Sequence, residues 1–127
     1  MLRPIMSTHA DVVADLTRRW PEQQIAPSLA RIEALVALLG DPHRSCPVVH
    51  ITGTNGKGST GIIVDALLRA QGLRTGRYSS PHLADPVERI CIDGEPISAE
   101  RFDEAWADIA PYVEMVDAME LDGVAMT

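Results

Sequence analysis

The sequence predicts an α/β domain in which helices flank a mostly parallel sheet. An apolar run at residues 47–52 is typical of a short buried strand and leads directly into a glycine-rich turn. A helical pattern follows at residues 62–70, with Gly72 at the expected C-terminal cap, and a second strand pattern covers residues 73–78. Strand, helix and strand in this order predict a βαβ unit with parallel strands and a right-handed crossover.

The turn between the first strand and the helix has the composition of a phosphate-binding loop. It reads Gly-Thr-Asn-Gly-Lys-Gly-Ser from Gly53 to Ser59. Glycines let the backbone approach an anion closely, and the N–H groups of a helix N-terminus attract negative charge. Lys57 is the only lysine among eleven basic residues. Its compact ammonium suits the β- and γ-phosphates of a nucleotide better than a planar guanidinium does.

The loop departs from the common pattern G-x-x-x-x-G-K-[ST] at two positions. Ile51 stands where the first glycine belongs, and Gly58 takes the place of the hydroxyl residue after the lysine. The alternative interpretation is a turn between strand and helix that binds no ligand. The lone lysine between two glycines at a helix start favours phosphate binding.

Composition limits the class of protein. The chain has 127 residues, 46% of them apolar, and a mean hydropathy of +0.01, which is typical of one small soluble domain or part of a larger one. The longest apolar run, at residues 34–39, is too short to span a bilayer, and the N-terminus lacks a signal peptide pattern. Cys46 and Cys91 make no disulfide framework. We therefore expect a cytoplasmic protein without a membrane partner.

Charge is unevenly distributed within the net charge of −7. Residues 1–92 carry ten basic and eight acidic side chains, whereas residues 93–127 carry one basic and ten acidic side chains. The acidic segment argues against binding to nucleic acid, which requires a basic face. We interpret it as the solvated face of a helix.

Helices are also predicted on the N-terminal side of the loop. Residues 11–20 show a short apolar stripe that Asp11 could cap and Pro21 would end. Residues 29–39 have apolar side chains on one face, and Gly40 ends the helix.

The C-terminal part predicts a strand, a tight turn and a long helix. Residues 87–92 alternate as a half-buried strand, Asp93-Gly94 is a hairpin turn signal, and Pro96 restricts the return strand to a short edge. Ser98 is expected to cap the helix, and Pro111 to kink or split it. The apolar face of this helix would carry Phe102, Ala105, Trp106, Ile109, Val113 and Val116.

Two features of a complete nucleotide-binding domain are missing from the sequence. Only two strands are good candidates for a parallel sheet, and no later strand ends in an acidic residue that could bind a metal ion. We therefore interpret the chain as the N-terminal piece of a longer protein.

Three separated motifs resemble a known family. Gly53 to Ser59 is similar to the P-loop of the Mur-ligase superfamily, whose members join a carboxylate to an amine with ATP. The run from Tyr78 to Leu83 followed by residues 88–90, and residues 29–32 ahead of the P-loop, resemble folylpolyglutamate synthase/dihydrofolate synthase. The resemblance implies the N-terminal part of a Mur-ligase-type ATP-binding domain. Residues 1–45 would be a helical lead-in, and residues 46–127 the first part of that domain.

The function implied by the resemblance is glutamate ligation in folate biosynthesis. ATP would phosphorylate a substrate carboxylate to an acyl phosphate, which the amine of L-glutamate would attack. The substrates would be dihydropteroate or a reduced folate, L-glutamate and ATP, with Mg²⁺ as metal, and we expect a monomer. Two alternatives remain open, which are a Mur ligase of cell-wall peptide synthesis and a non-catalytic phosphate-binding fragment. The 127-residue piece alone is expected to be inactive.

The resemblance also implies roles for particular residues. Lys57 would neutralise the transferring phosphoryl group, Ser80 would ligate Mg²⁺, and Thr127 would begin a further substrate-contacting segment. The residues expected to bind the ATP phosphates are Thr54, Asn55, Gly56, Lys57, Gly58, Ser59 and Thr60. Those expected to hold the pterin are Gln24, Ile25, Ala26 and Pro27, and His82 could also touch substrate.

Several of these residues have structural alternatives. Ser59 and Thr60 could cap the helix, and Ser80 could simply precede a proline turn. His82 could make only a local hydrogen bond, and His50 is expected to be structural. Glu88 and Arg89, on opposite sides of the predicted strand, would anchor the preceding loop.

Overall fold

The computed structural model describes residues 8–19, 29–80, 85–119 and 121. They form two compact units, one from residues up to 47 and from 103 onward, the other from residues 48–102. The elements, in chain order, are α1 (His9–Arg19), α2 (Ala30–Leu38), a 3₁₀ helix (Pro42–Arg44), α3 (Lys57–Ala70), β1 (Gly76–Tyr78), a second 3₁₀ helix (Pro86–Arg89), β2 (Ile90–Ile92), β3 (Glu95–Pro96) and α4 (Ala99–Ala118). In this part of the chain, no helix is both long and apolar enough to cross a membrane.

Two polar contacts join α1 to α4 in the first unit. His9 Nδ1 lies 2.7 Å from Asp103 Oδ1, and Arg19 donates a hydrogen bond of 2.7 Å to Asp117. The first contact joins the starts of the two helices, and the second joins their ends. The two helices therefore run in the same direction. The buried apolar side chains of this unit are Val12, Leu35, Trp106, Val113 and Val116.

Arg19 is the central charge of this helix pair. Its guanidinium lies over the Trp106 ring, 5.7 Å from the centroid, within the range of a cation–π contact. Burial alone would disfavour the charge, but the hydrogen bond and negative charge of Asp117, with a smaller contribution from Asp15, outweigh burial and raise the pKa of Arg19. Asp15 is itself buried and lies 3.5 Å from Arg19 Nε. The part of the predicted stripe at residues 11–19 is therefore stabilised by charge as well as by apolar contact, whereas Trp20 and the predicted stop at Pro21 lie outside the described residues.

Local signals fix the start of α1 and the end of α2. At α1 the cap is Thr8, because its hydroxyl accepts from Asp11 N at 3.3 Å while Asp11 Oδ2 accepts from Thr8 N at 3.2 Å. The prediction that Asp11 is the cap was therefore wrong by three residues, since Asp11 is the reciprocal partner. Gly40 ends α2 as predicted: its φ is +80°, and Asp41 N donates back to Val36 O at 2.8 Å.

The second unit contains a three-stranded antiparallel sheet in the order β1-β2-β3. Arg77 of β1 is opposite Cys91 of β2, and Ile92 is opposite Glu95 across the hairpin. Asp93 and Gly94 have φ values of +50° and +88°, as a tight two-residue hairpin turn requires. The predicted turn and the short strand after it are both confirmed.

The predicted parallel pairing between residues 47–52 and β1 was wrong. Residues 47–53, all of them described, form no strand, and Val48 and Val49 are 73% and 65% exposed. A strand forms only where a neighbour exchanges backbone hydrogen bonds with it, and no described segment does so here. Apolar composition predicted the potential for a strand, but the pairing depends on segments distant in sequence.

The strand predicted at residues 87–92 begins only at Ile90. Asp85 Oδ1 accepts from Val87 N at 3.0 Å, and Glu88 Oε1 accepts from Asp85 N at 3.4 Å, which together form a capping box. This capping box and Pro86 at the first helical position favour a 3₁₀ helix over residues 86–89. Glu88 and Arg89 therefore do not lie on opposite sides of a strand, although Glu88 does anchor the chain at Asp85.

Helix α4 is capped as predicted but is not split. Ser98 Oγ accepts from Arg101 N at 3.2 Å. Pro111 lies inside a continuous helix of 20 residues. Pro111 has no backbone N–H, so it cannot donate the helical hydrogen bond to the carbonyl of Ala107. Both residues are exposed, so water can bond to that carbonyl instead. Of the predicted apolar face, Ala105 is exposed, whereas Trp106, Val113 and Val116 are buried.

The cap of α4 gives a test of local stability. Replacing Ser98 with alanine should lower the free energy of unfolding by about 1 kcal/mol, because it removes the acceptor for the Arg101 N–H. Ser98→Asp is the matched control, since aspartate can accept the same bond. Chemical denaturation measures both variants. Equal losses in the two would show that the cap bond is not the cause.

Candidate phosphate-binding site

The predicted phosphate-binding loop lies at the start of α3. Gly53 and Gly56 have φ values of +144° and +75°, which side-chain-bearing residues rarely adopt. Gly56 is the residue that precedes the helix, and no side chain caps this end in the described part of the chain. The first helical bond runs from Thr60 N to Gly56 O at 2.9 Å. The preceding N–H groups of the first turn therefore point out of the helix end, where the helix dipole favours an anion.

Ser59 and Thr60 lie within the first turn of α3, after Lys57. The structural alternative in which either residue caps the helix was therefore wrong, because the capping position belongs to Gly56. Both side chains are exposed. Their hydroxyls stand beside the open helix end and are available as hydrogen-bond donors to an anion.

The loop is open to solvent. Residues 52–60 are all exposed, and a Cβ placed on Gly56 or Gly58 would meet no atom within 4 Å. A steric clash with described residues therefore does not explain why position 58 is a glycine. A backbone without side chains at these positions leaves room for a group as large as a phosphate to approach the N–H groups.

Lys57 donates a hydrogen bond from Nζ to the carbonyl of Gly53, so its ammonium folds back across the loop. The ammonium has three donors and this contact uses one of them. The residue is exposed, so an incoming anion can reach it. The arrangement puts one full positive charge and the partial positive end of α3 on the same side of the loop.

The strand β1 is directed toward this loop. The Thr75 hydroxyl donates to Asp65, and Arg77 Cδ lies 3.8 Å from the position of a Cβ on Gly61. Thr75, just before β1, contacts residue 65 of α3, whereas Arg77, two residues later, contacts residue 61. The contacts of this segment therefore come closer to the N-terminus of α3 as the chain proceeds along β1. The residues that follow β1, including the exposed Ser80, therefore continue toward the end of α3 that carries Lys57.

The metal and substrate predictions have different outcomes. Among the residues that the structure describes, no group of three or more His, Cys, Asp and Glu side chains could hold a metal ion. Ser80 is described, but its role as a metal ligand stays a prediction. The predicted substrate residues Gln24 to Pro27, His82 and Thr127 lie outside the described residues.

A buried charge cluster behind the loop was not predicted from the sequence. Asp65 is 6% exposed and lies 3.6 Å from Arg69 Nε and 3.8 Å from Arg77 Nε. The Thr75 hydroxyl also donates to this carboxylate. A signal was present, since Asp65 interrupts the apolar run at residues 62–68 and precedes Arg69 by one helical turn.

The glycine-rich turn, the lysine at the uncapped helix start and the strand running back toward it define the chain as part of a P-loop α/β domain. No family model matches the sequence. The chain is 55% identical over 102 residues to the dihydrofolate synthase/folylpolyglutamate synthase of Mycobacterium tuberculosis, covering 80% of this chain and 21% of that protein.

Solved structures show the same relationship. The folylpolyglutamate synthase of M. tuberculosis complexed with ADP superposes with a TM-score of 0.86 and 48% identity, over 94% of this chain and 26% of that one. A folylpolyglutamate synthase (FPGS) complex with AMPPCP and folate superposes with a TM-score of 0.79 and 33% identity, over 90% of this chain and 28% of that one.

By sequence and fold, the chain belongs to the folylpolyglutamate synthase/dihydrofolate synthase family and matches its N-terminal part. It spans about a quarter of the length of the solved relatives. The predicted fold class is confirmed at the level of a Mur-ligase-type α/β domain, although the sheet that this structure describes is antiparallel.

Proposed function

We propose that this chain forms the phosphate-binding part of an ATP-dependent ligase that adds L-glutamate to dihydropteroate or to folate polyglutamates. The observation that carries the proposal is the open P-loop, with Lys57 at the uncapped start of α3. The complexes of relatives with ADP, and with AMPPCP and folate, support the nucleotide and the substrate class.

The ATP phosphates would lie against residues 54–60. The N–H groups of the first turn of α3 would donate to phosphate oxygens, and the hydroxyls of Ser59 and Thr60 would add further bonds. These residues fit a phosphate chain because they are exposed, glycine-rich and uncapped.

Lys57 would act on the reacting phosphoryl group. A substrate carboxylate and a triphosphate repel one another, so positive charge must lie between them before the carboxylate oxygen can attack phosphorus. In this proposal the attack releases ADP and forms an acyl phosphate. The amine of L-glutamate then attacks the acyl carbon, and phosphate leaves with the original carboxylate oxygen.

Magnesium would be held through Ser80 and the nucleotide phosphates. Mg²⁺ usually keeps several waters and takes few protein ligands, so one hydroxyl beside a phosphate site is compatible with its chemistry. The residue after Lys57 is glycine and supplies no such oxygen. When bound, the metal would supply further positive charge for phosphoryl transfer.

The substrate side of the proposal rests on the family resemblance. The pterin would be held by Gln24, Ile25, Ala26 and Pro27, and His82 and Thr127 would also contact substrate. A comparison of ATP turnover with dihydropteroate and with a reduced folate shows which of the two is the better acceptor. In the full-length protein, at least one of these two substrates should raise ATP turnover. Stimulation by a UDP-sugar peptide instead would favour a cell-wall ligase, and no stimulation by either would favour a non-catalytic phosphate-binding module.

Ser80→Ala should weaken Mg²⁺-dependent ATP turnover, and higher Mg²⁺ should partly restore it. Loss of one metal-bound oxygen lowers metal affinity more than it lowers the rate at saturating metal. Ser79→Ala is the matched control. Its backbone N–H donates to Arg89 O at 2.9 Å, and this bond survives the substitution. Equal Mg²⁺ requirements in both variants would reject Ser80 as a ligand.

A further inference from the structure

A buried carboxylate behind the P-loop joins helix α3 to the sheet. Asp15 and Asp65 are the two charged residues that are buried in the described part of the chain, and only Asp65 belongs to the unit with the loop. Its Oδ1 accepts from the Thr75 hydroxyl and lies 3.6 Å from Arg69 Nε. Its Oδ2 lies 3.8 Å from Arg77 Nε. A buried carboxylate is tolerated only with such partners, so these contacts constrain the segments that supply them.

Arg77 connects three elements of the unit. Its Nη2 donates to Cys91 Sγ at 3.2 Å on β2, and its Cδ lies against Gly61 of α3. Its Nε is buried and has no hydrogen bond, because Asp65 Oδ2 at 3.8 Å is beyond hydrogen-bonding range. The Asp65–Arg77 contact is therefore a partly buried ion pair between the helix and the strand.

In the described structure, Asp65 and Arg77 take part in the side-chain contacts that join β1 and Thr75 just before it to α3. The strand has three residues and pairs only with β2 in this sheet. Its side chains alternate in exposure: Tyr78 is exposed, whereas Arg77 is half-buried and is the one directed to α3. The ion pair, together with the Thr75–Asp65 hydrogen bond, therefore helps to determine where the end of β1 lies relative to the first turn of α3.

We infer that Asp65 and Arg77 are positioning residues that set the distance between Ser80, which follows β1, and Lys57, which begins α3. The inference rests on the proposed function, in which these two residues serve the same Mg²⁺–nucleotide complex. Mg²⁺ requires ligands close to about 2.0–2.1 Å in near-octahedral geometry. A strand displaced by even about 1 Å would therefore weaken metal binding without removing any ligand.

The test compares Arg77→Gln, Asp65→Asn and the double variant in the full-length protein. Each single change should raise the Mg²⁺ concentration for half-maximal ADP binding by roughly 10-fold, the lower end for loss of a supporting contact around a metal. Turnover at saturating Mg²⁺ and the KM for L-glutamate should stay within about twofold of wild type. The loss in the double variant should be smaller than the two single losses combined, because both changes remove the same Asp65–Arg77 ion pair.

Two further variants complete the test. Arg74→Gln loses the same charge from an exposed side chain in the same unit and should leave the Mg²⁺ requirement unchanged. Arg77→Lys keeps the charge near Asp65 but cannot also bond to Cys91, so its Mg²⁺ requirement should be intermediate. This variant preserves the test if Arg77→Gln fails to fold.

Mg²⁺-dependent ADP binding, measured by calorimetry, separates this inference from the proposed ligase activity. If the wild type binds Mg²⁺–ADP but adds no glutamate to folates, the proposed function fails while the comparison of variants still decides the inference. An unchanged Mg²⁺ requirement in variants that melt at lower temperature would overturn the inference and leave the pair a purely structural role. Absence of Mg²⁺-dependent ADP binding in the wild type would also overturn it.

Discussion

Replacing Lys57 with alanine in the full-length protein should lower ATP-dependent turnover by roughly 10²–10³-fold, the scale for loss of one preorganised charge-stabilising donor. Its ammonium lies across the loop through its bond to Gly53 O, beside the open end of α3. The free energy of unfolding should change by less than about 0.5 kcal/mol, because the residue is exposed. Steady-state kinetics and chemical denaturation measure the two effects separately.

Arg74→Ala is the control for charge loss. The Arg74 side chain is 86% exposed and its Nε lies 3.5 Å from Asp93, on the hairpin turn. It carries the same formal charge as Lys57 but lies outside the loop, so turnover should stay within about twofold of wild type. Near wild-type turnover in Lys57→Ala would contradict the role given to this residue.

Replacing Trp106 with alanine should lower the free energy of unfolding by about 3–5 kcal/mol. The indole is 7% exposed, and Arg19 lies over its ring. Truncation would leave a cavity beneath α4 and remove the aromatic face that contacts the Arg19 guanidinium. Urea denaturation, monitored by circular dichroism, gives the loss.

Tyr112→Ala is the matched aromatic control on the same helix. Its side chain is 37% exposed, so its removal should cost about 1 kcal/mol or less. Similar losses in the two variants would show that Trp106 is not a core residue of this unit.

Local signals predicted much of the fold. Gly40 and Gly72 end their helices with positive φ, and Asp93-Gly94 forms the hairpin turn. Each of these predictions depends on the conformation of one or two residues, which their chemistry determines. Ser98 was predicted as a cap for the same reason and is confirmed.

Two errors arose where hydrogen-bonding partners, and not the pattern of apolar residues, decide the backbone conformation. The apolar residues 47–52 suggested a parallel strand, but strand pairing depends on which segments lie alongside. The 3₁₀ helix at Pro86–Arg89 was missed because alternation of apolar residues hid the capping box between Asp85 and Glu88. The apolar run found no pairing segment among the described residues, and the alternating run was overruled by a local capping box.

The candidate site also contains residues that could be predicted from the sequence and residues that only the fold brings together. The P-loop is one continuous segment, so its glycines and Lys57 could be recognised from the sequence alone. The Asp65–Arg77 ion pair joins residues twelve positions apart on different elements, and only the folded structure brings them together. The predicted substrate residues, Gln24 to Pro27 among them, stay predictions.

The most direct test of the proposed ligase chemistry follows oxygen from the substrate carboxylate. The full-length protein would be incubated with ATP, L-glutamate and a folate or pteroate substrate whose acceptor carboxylate carries ¹⁸O. An acyl phosphate predicts that each glutamate added transfers one ¹⁸O atom to the released phosphate, with ADP formed in equal amount. Phosphate free of ¹⁸O, or ADP formation that needs neither folate nor glutamate, would contradict the acyl-phosphate mechanism.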